Sequence, residues 1–325
     1  MKAKDVLYGV IGCGEHAVRG HIQPGLGTGL SLAGVFDPVR ENASRAASLS
    51  RTLVTHFVSA QALIESSEIE AVLIASPDIH HPDQLLAAVK ADKHVLVDKP
   101  LAINAIGMVK VREALRLADR KDLVVSSCHP RRFDPPYIWM KRALPRLIRC
   151  FGAVVSVHLD FSYHKPQAMW KHRRSLLLDH FPHEIDYVTF LLGEARFRAT
   201  RLHDGHDAYG VAGVRADGIT FSFSGTRRLD QTVYPENIRV RFERGEITIN
   251  TKTGEGWVND HSNSRSETLS VQPTDYDVRF RRLMGNFVRA VRGREKSYLT
   301  RLDLVVNTES AVALAHQEHF NSLRR

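Results

Sequence analysis

Two stretches of this chain set groups that can move a proton beside groups that can hold an oxygen. The first is Val95-Leu96-Val97-Asp98-Lys99-Pro100, an apolar strand-like run that ends in a carboxylate, an amine and a proline. A lysine at the carboxyl end of such a strand can hold a substrate oxygen and assist proton transfer, provided burial and neighbours lower its pKa. The second runs from Ser175 to Asp186 and places Asp179 and His183 four residues apart. If the segment is helical, both side chains share a face, and Pro182 is acceptable in a first turn. Histidine titrates near neutrality and can both accept and return a proton, while Asp179 could orient a substrate or steady an imidazolium. Asp186, one turn further on, reads as structural. His180, His183 and the two aspartates could instead ligate a metal. A tetrahedral site needs further fixed ligands, and nothing nearby has their spacing, so no metal is assigned.

A third motif binds rather than reacts. Gly12-Cys13-Gly14-Glu15-His16-Ala17 follows the apolar run Val6–Ile11 directly and opens a helix-compatible stretch. Such glycines permit a tight turn and the close approach of a pyrophosphate, which then sits on the N–H groups of a helix start. Ala17 stands at the third glycine position, where the need is close helix–strand packing. Asp37 closes the next strand at the interval expected for a residue that accepts hydrogen bonds from both ribose hydroxyls, which favours NAD over NADP. Arg40, nearby, softens that preference, so NADP stays open.

Elements must position these groups. Before residue 128, Val6–Ile11, Leu30–Phe36, Ala71–Ala75, His94–Val97 and Leu123–Ser126 read as short strands, each followed by a helix-compatible stretch. This alternation indicates βαβ units and a parallel sheet covered on both faces. Phe133-Asp134-Pro135-Pro136 reads as a hinge. Beyond it come a helix, a strand, a second helix and several alternating strands, including Phe197–Leu202, Ile219–Gly225, Ile238–Phe242 and Glu246–Asn250. Residues 254–275 read as an exposed loop or edge, and helices are expected near Asp277–Arg292 and Asp303–His319. The fold class is α/β: a Rossmann dinucleotide-binding domain over 1–127, then an α/β domain with a large, mainly antiparallel sheet over 128–325 for substrate binding and oligomerisation.

Taken together, the glycine turn, Ser76-Pro77-Asp78-Ile79-His80-His81, Lys93 to Pro100, and Asp179-x-x-x-His183-x-x-Asp186 resemble the glucose-fructose oxidoreductase / inositol dehydrogenase / MocA family, in order along the whole chain. The resemblance implies that Lys99 lies near nicotinamide and substrate, that Pro100 follows a cis bond, and that Ser76, Pro77 and His81 line the cofactor pocket. It implies that Asp179 and His183 bind the substrate, the histidine taking the alcohol proton as hydride leaves. It also implies a homodimer or homotetramer. Asp98 replaces the family's usual glutamate, which loosens any ion pair that orients the lysine. Where relatives carry a glycine run, this chain has Arg173-Arg174-Ser175, pointing to an anionic substrate or to a solvated basic loop. Tyr163 and Trp170 could wall a sugar ring, and Arg131 could reach cofactor or substrate. The implied reaction is reversible oxidation of a secondary alcohol of a sugar, cyclitol or derivative. A dinucleotide-binding sensor without turnover, or an NADPH-dependent imine or double-bond reductase, remain alternatives on the same fold.

Composition bounds these readings. The formal charge of +9 invites nucleic acid, but the basic residues are scattered and lack interleaved aromatics, so no nucleic-acid partner is expected. No apolar run is long enough to span a bilayer, and the segment after Met1 does not read as a signal peptide, so a cytoplasmic chain is expected. Three cysteines, Cys13, Cys128 and Cys150, without a paired motif, indicate neither a disulfide framework nor a zinc knuckle.

Overall fold

Apolar runs too short to be helices, each closed by a glycine, proline or acidic turn, form the strands of the first half of the chain. In the computed structural model, which describes residues 5–164, 176–205, 207–230, 236–316 and 319–321, they assemble one parallel sheet. Its strands are β1 (Val6–Ile11), β2 (Leu30–Phe36), β3 (Thr55–His56), β4 (Ala71–Ile74), β5 (His94–Val97) and β6 (Val125–Ser127), in the order β3-β2-β1-β4-β5-β6. The order reverses between β1 and β4, the topological switch point at which doubly wound sheets bind ligands. Every residue of β4 is buried, as expected for a strand covered on both faces. The two-residue β3 is exposed and lacks any apolar run, which is why periodicity does not announce it.

The chain after β1 is helical but not uniformly so: α1 (Glu15–Ala17) passes into a π turn (Val18–Ile22) and then α2 (Gln23–Gly25). Helices α3 (Arg40–Ala47), α4 (Ala60–Glu65), α5 (His81–Lys90) and α6 (Ala105–Arg120) complete the alternation. The side chain of Asn104 caps α6 by accepting from Gly107 N–H at 2.8 Å.

The expected hinge is a helix start. Pro130–Phe133 forms a 3-10 turn and Asp134 precedes α7 (Pro135–Phe151), whose two leading prolines occupy the turn where no N–H is needed. The strands β7 (Val154–Phe161), β8 (Phe197–Asp204), β9 (Ala208–Arg215), β10 (Thr220–Thr226), β11 (Glu236–Phe242), β12 (Gly245–Asn250), β13 (Glu255–Asp260) and β14 (Arg265–Ser270) belong to a second sheet, with α8 (Leu176–Leu192) between β7 and β8. That sheet has nine strands, β15 (His319–Asn321) being the last, and all its pairings are antiparallel except β7 with β10. Strict alternation in β11 and β12 sends Ile238, Val240, Phe242, Ile247 and Ile249 inward, against Tyr137, Met140, Phe181 and Ile185 of α7 and α8. Residues 254–275 form the edge hairpin β13–β14, and β14 is exposed along nearly its whole length.

Two C-terminal helices follow, α9 (Tyr276–Val291) and α10 (Arg301–His316). The compact units do not follow a single cut of the chain. The first takes the residues up to Pro130 together with Tyr276–Glu309; the second takes Arg131–Asp275 and the chain from Ser310 onward. Tyr298 shows the tie, its hydroxyl accepting from His129 N–H at 3.0 Å and donating to the Ser127 carbonyl. Among the described residues no helix is long and apolar enough to cross a membrane.

Candidate functional site

The residues singled out in the first unit gather at the carboxyl ends of β1, β2, β4 and β5. Gly12 has φ +84°, and a Cβ there would sit 2.6 Å from the Ala75 carbonyl and Ser76 nitrogen, so the turn admits only glycine. A Cβ on Gly14 would meet nothing within 4 Å, which leaves the surface over the turn open to a bulky group such as a pyrophosphate. Ala17 is buried, in keeping with its packing role. Glu15 and His16, between them, are exposed.

Asp37 is held in place. Cys13 N–H donates to its Oδ2 at 2.7 Å, Val39 N–H to its Oδ1 at 2.8 Å, and the Asn42 amide to Oδ1 at 3.4 Å. The carboxylate is thereby fixed at the end of β2, where an acceptor for ribose hydroxyls is wanted. Cys13 meets the turn only through its backbone: its side chain is buried, and burial, with Asp37 adding, pushes the thiol up to about 12. Arg40 is exposed at the first residue of α3.

The loops after β4 and β5 are tied by one histidine. Buried His81 places Nδ1 2.8 Å from the Pro100 carbonyl and Nε2 2.8 Å from the Ser76 carbonyl. Burial lowers its pKa, and the facing carbonyls only partly oppose this. A neutral ring has one N–H, so His81 donates to one of these carbonyls and packs against the other, between the two loops. Ser76 donates its hydroxyl to Gln84 at 2.6 Å, and Pro77 leads into the turn Asp78–His80. The Lys99–Pro100 bond is cis, as the family resemblance implies, and Lys99 is half-buried beside the Cys128 thiol, which feels its charge. Asp98 turns to two histidines, His21 Nε2 lying 2.6 Å from Oδ1 and His16 Nε2 3.6 Å from Oδ2. Burial alone would raise its pKa, but these rings hold the carboxyl well below the usual range.

In the second unit, α8 is buried along most of its length, and Asp179 and His183 stand one turn apart among its few uncovered positions. Asp179 is half exposed, at 49%. His180, read from the sequence only as an alternative metal ligand, stacks on Tyr209 and lies 3.3 Å from the Tyr163 hydroxyl and 4.0 Å from Asp179 Oδ2. Burial, with Asp179 adding, pushes the Tyr163 hydroxyl up to about 12. Glu184 is also buried, and Tyr209 donates its hydroxyl to it. Burial pushes that carboxyl up to about 8 against the pull of Arg131 and Tyr209. Asp186 is structural: Arg132 grips it with both Nε and Nη2 at 2.7 to 3.1 Å. Arg131 departs from the expectation that it reaches a ligand. It is buried, with its guanidinium 4.7 Å from the Phe161 ring centre and Nε 3.5 Å from Glu236, so its charge is spent inside this unit. Trp170, Arg173 and Arg174 lie outside the described residues.

A six-stranded parallel sheet of this order with a glycine turn at its switch point defines a Rossmann dinucleotide-binding protein. Residues 6–129 match the model of the Gfo/Idh/MocA oxidoreductases, described as an oxidoreductase family with an NAD-binding Rossmann fold. It is 31% identical over 205 residues to inositol 2-dehydrogenase 4 of Saccharopolyspora erythraea, a match covering 60% of this chain and 56% of the relative. With inositol 2-dehydrogenase 2 of the same organism it shares 36% over 197 residues, 59% of this chain and 55% of that one. The matched stretch thus spans little more than half the length of these relatives. The fold extends over the whole chain in an oxidoreductase from Agrobacterium radiobacter solved with NAD+, L-tartaric acid and magnesium, at TM-score 0.83, 14% identity and 98% coverage of both chains.

Proposed function

We propose that this chain is an NAD(P)-dependent dehydrogenase that reversibly oxidises a secondary alcohol of a cyclitol, a sugar or a derivative to a ketone. The observation that carries the reading is the glycine turn at the sheet's switch point, open above Gly14, with Asp37 locked at the end of β2, three strand positions from the β5 end that carries Lys99. Similarity to inositol 2-dehydrogenases supports a cyclitol. When bound, the nicotinamide takes the hydride. The chain's own groups do the rest: Lys99 holds the alcohol oxygen through Nζ, His183 takes its proton on the imidazole, and Asp179 orients the substrate. His81 and its two carbonyl contacts hold the Lys99 loop in register. Asp37 favours NAD, since a 2′-phosphate would face its carboxylate. Arg173 and Arg174 widen the choice to anionic derivatives, and the residues before and after 128 divide the labour between cofactor on one side and substrate and self-association on the other.

The test is titration of the purified protein with NADH and NADPH, followed by nicotinamide absorbance across myo-inositol, sugars and their acidic derivatives. Binding with turnover supports the reading, tight binding without turnover across the panel favours a sensor, and no binding overturns it. Retained affinity for an anionic substrate after Arg173→Ala and Arg174→Ala together would remove the case for an anionic substrate.

A further inference from the structure

Four side chains from distant parts of the first unit meet at one point. His16 and His21 come from the helical stretch after β1, Asp98 follows β5 and Cys128 follows β6, and their ligand atoms all lie within 4.8 Å of one another. The Cys128 thiol donates to the Asp98 carboxylate, which already faces both imidazoles. We propose that His16, His21, Asp98 and Cys128 form a four-ligand site for a divalent zinc-like metal ion, one that shares His16 with the glycine turn and Asp98 with the Lys99 motif.

The local chain is built to bring these donors together. On an α-helix, residues five apart point about 140° away from one another. Here the intervening turn is π-type, closed by Gln23 N–H donating to the Val18 carbonyl, and its extra residue swings His21 back toward the face of His16; such turns recur at functional sites. Gly20 makes room for the fold-back, because a Cβ there would sit 3.2 Å from His16 Cε1. The two rings stand 84° apart with centroids at 5.3 Å, and Phe280 sets its ring 6.0 Å from each, giving the donors an apolar wall.

The donor chemistry fits one class of ion. Two imidazole nitrogens, a carboxylate oxygen and a thiolate suit Zn2+, which takes four such ligands in tetrahedral geometry, whereas Mg2+ and Ca2+ take oxygen. One carboxylate and one thiolate neutralise the divalent charge in a site where His21 and Cys128 are buried. On binding, a metal–sulfur bond forms, the S–H bond of Cys128 breaks and its proton passes to solvent, with the imidazoles neutral. Four protein ligands leave no open position, so the ion clips the helix behind the glycine turn to the ends of β5 and β6.

The test uses the full chain without dinucleotide, so it stands or falls apart from the proposed activity. After chelation and dialysis, the protein is loaded with Zn2+ or Co2+. The expected result is one zinc retained per chain, and a cobalt form with the intense visible bands of a tetrahedral site plus a sulfur-to-cobalt charge-transfer band. Cys128→Ser should abolish that band. His16→Ala, at an exposed position, should keep the native circular dichroism and weaken metal affinity by about 100-fold or more, beyond what loss of an outer hydrogen bond does. Failure to retain stoichiometric metal, a cobalt spectrum without the sulfur band, or a band that survives Cys128→Ser would each overturn the site.

Discussion

At the scale of single residues, what a side chain can do here is decided by what already holds it. Asp37 is anchored by two backbone N–H groups and an amide, so in the proposed cofactor reading it is a fixed acceptor for ribose hydroxyls. Asp37→Ser should weaken NADH about tenfold and shift preference toward NADPH, measured by fluorescence titration of both; an unchanged ratio would remove Asp37 from cofactor choice. For the proposed chemistry, Lys99→Ala and His183→Ala should each lower kcat by about 10²- to 10⁴-fold with smaller changes in KM. Parent-like turnover in both would mean the roles are misassigned. Glu184 gives a stability test. Its folded pKa of about 8 lies above its ordinary value of 4.5, so the folded state holds a proton that the unfolded chain releases. The corresponding stability is full below about 4.5 and is lost as pH rises towards 8. Relative to the parent, Glu184→Gln should therefore gain at least about 2–4 °C in Tm between pH 5 and pH 8; a constant difference would show that the carboxyl is ionised throughout. That Asp179 and His183 share a face of α8 was legible, because helical spacing alone puts them there. Arg131 was not, because its partners Phe161 and Glu236 are far along the chain and burial leaves no local mark.

At the scale of elements, five of the six parallel strands were legible to within two residues at either end, since a buried strand must be a continuous apolar run bounded by turns, whereas the exposed β3 has no such run. The π turn was not: no residue type marks it, and it is recognised only by the bond from Gln23 to Val18. The mistaken hinge has a plain cause, for paired prolines serve a helix start as readily as a bend. The quartet of His16, His21, Asp98 and Cys128 escaped for the same reason as Arg131, its members being joined by strand order rather than by spacing. Within α8, the two-pronged pairing of Arg132 with Asp186 locks the buried side of the helix that presents Asp179 and His183. Arg132→Ala leaves Asp186 buried without that partner and should cost about 3–5 kcal/mol in chemical denaturation. A loss under about 1 kcal/mol would mean that water reaches the carboxylate.

At the scale of the whole molecule, the second sheet offers a broad face that its own helices do not fill. Its outward row runs through His158, Ser222, Arg239 and Thr248 to Trp257, which is 50% exposed. Together with the family resemblance this favours a homodimer or homotetramer. Light scattering coupled to size exclusion should find one of these at micromolar concentration, and a monomer there would exclude both.

The interleaved path of the chain also bears on its birth. The ribosome releases the strands of the first unit early, yet α9 and most of α10, which complete that unit, emerge only after the whole second sheet up to Ser270 has been made. Phe280 against His16 and His21, and Tyr298 against Ser127 and His129, are contacts that a nascent Rossmann sheet must wait for. The half that carries the glycine turn is therefore first to be synthesised and among the last to be finished.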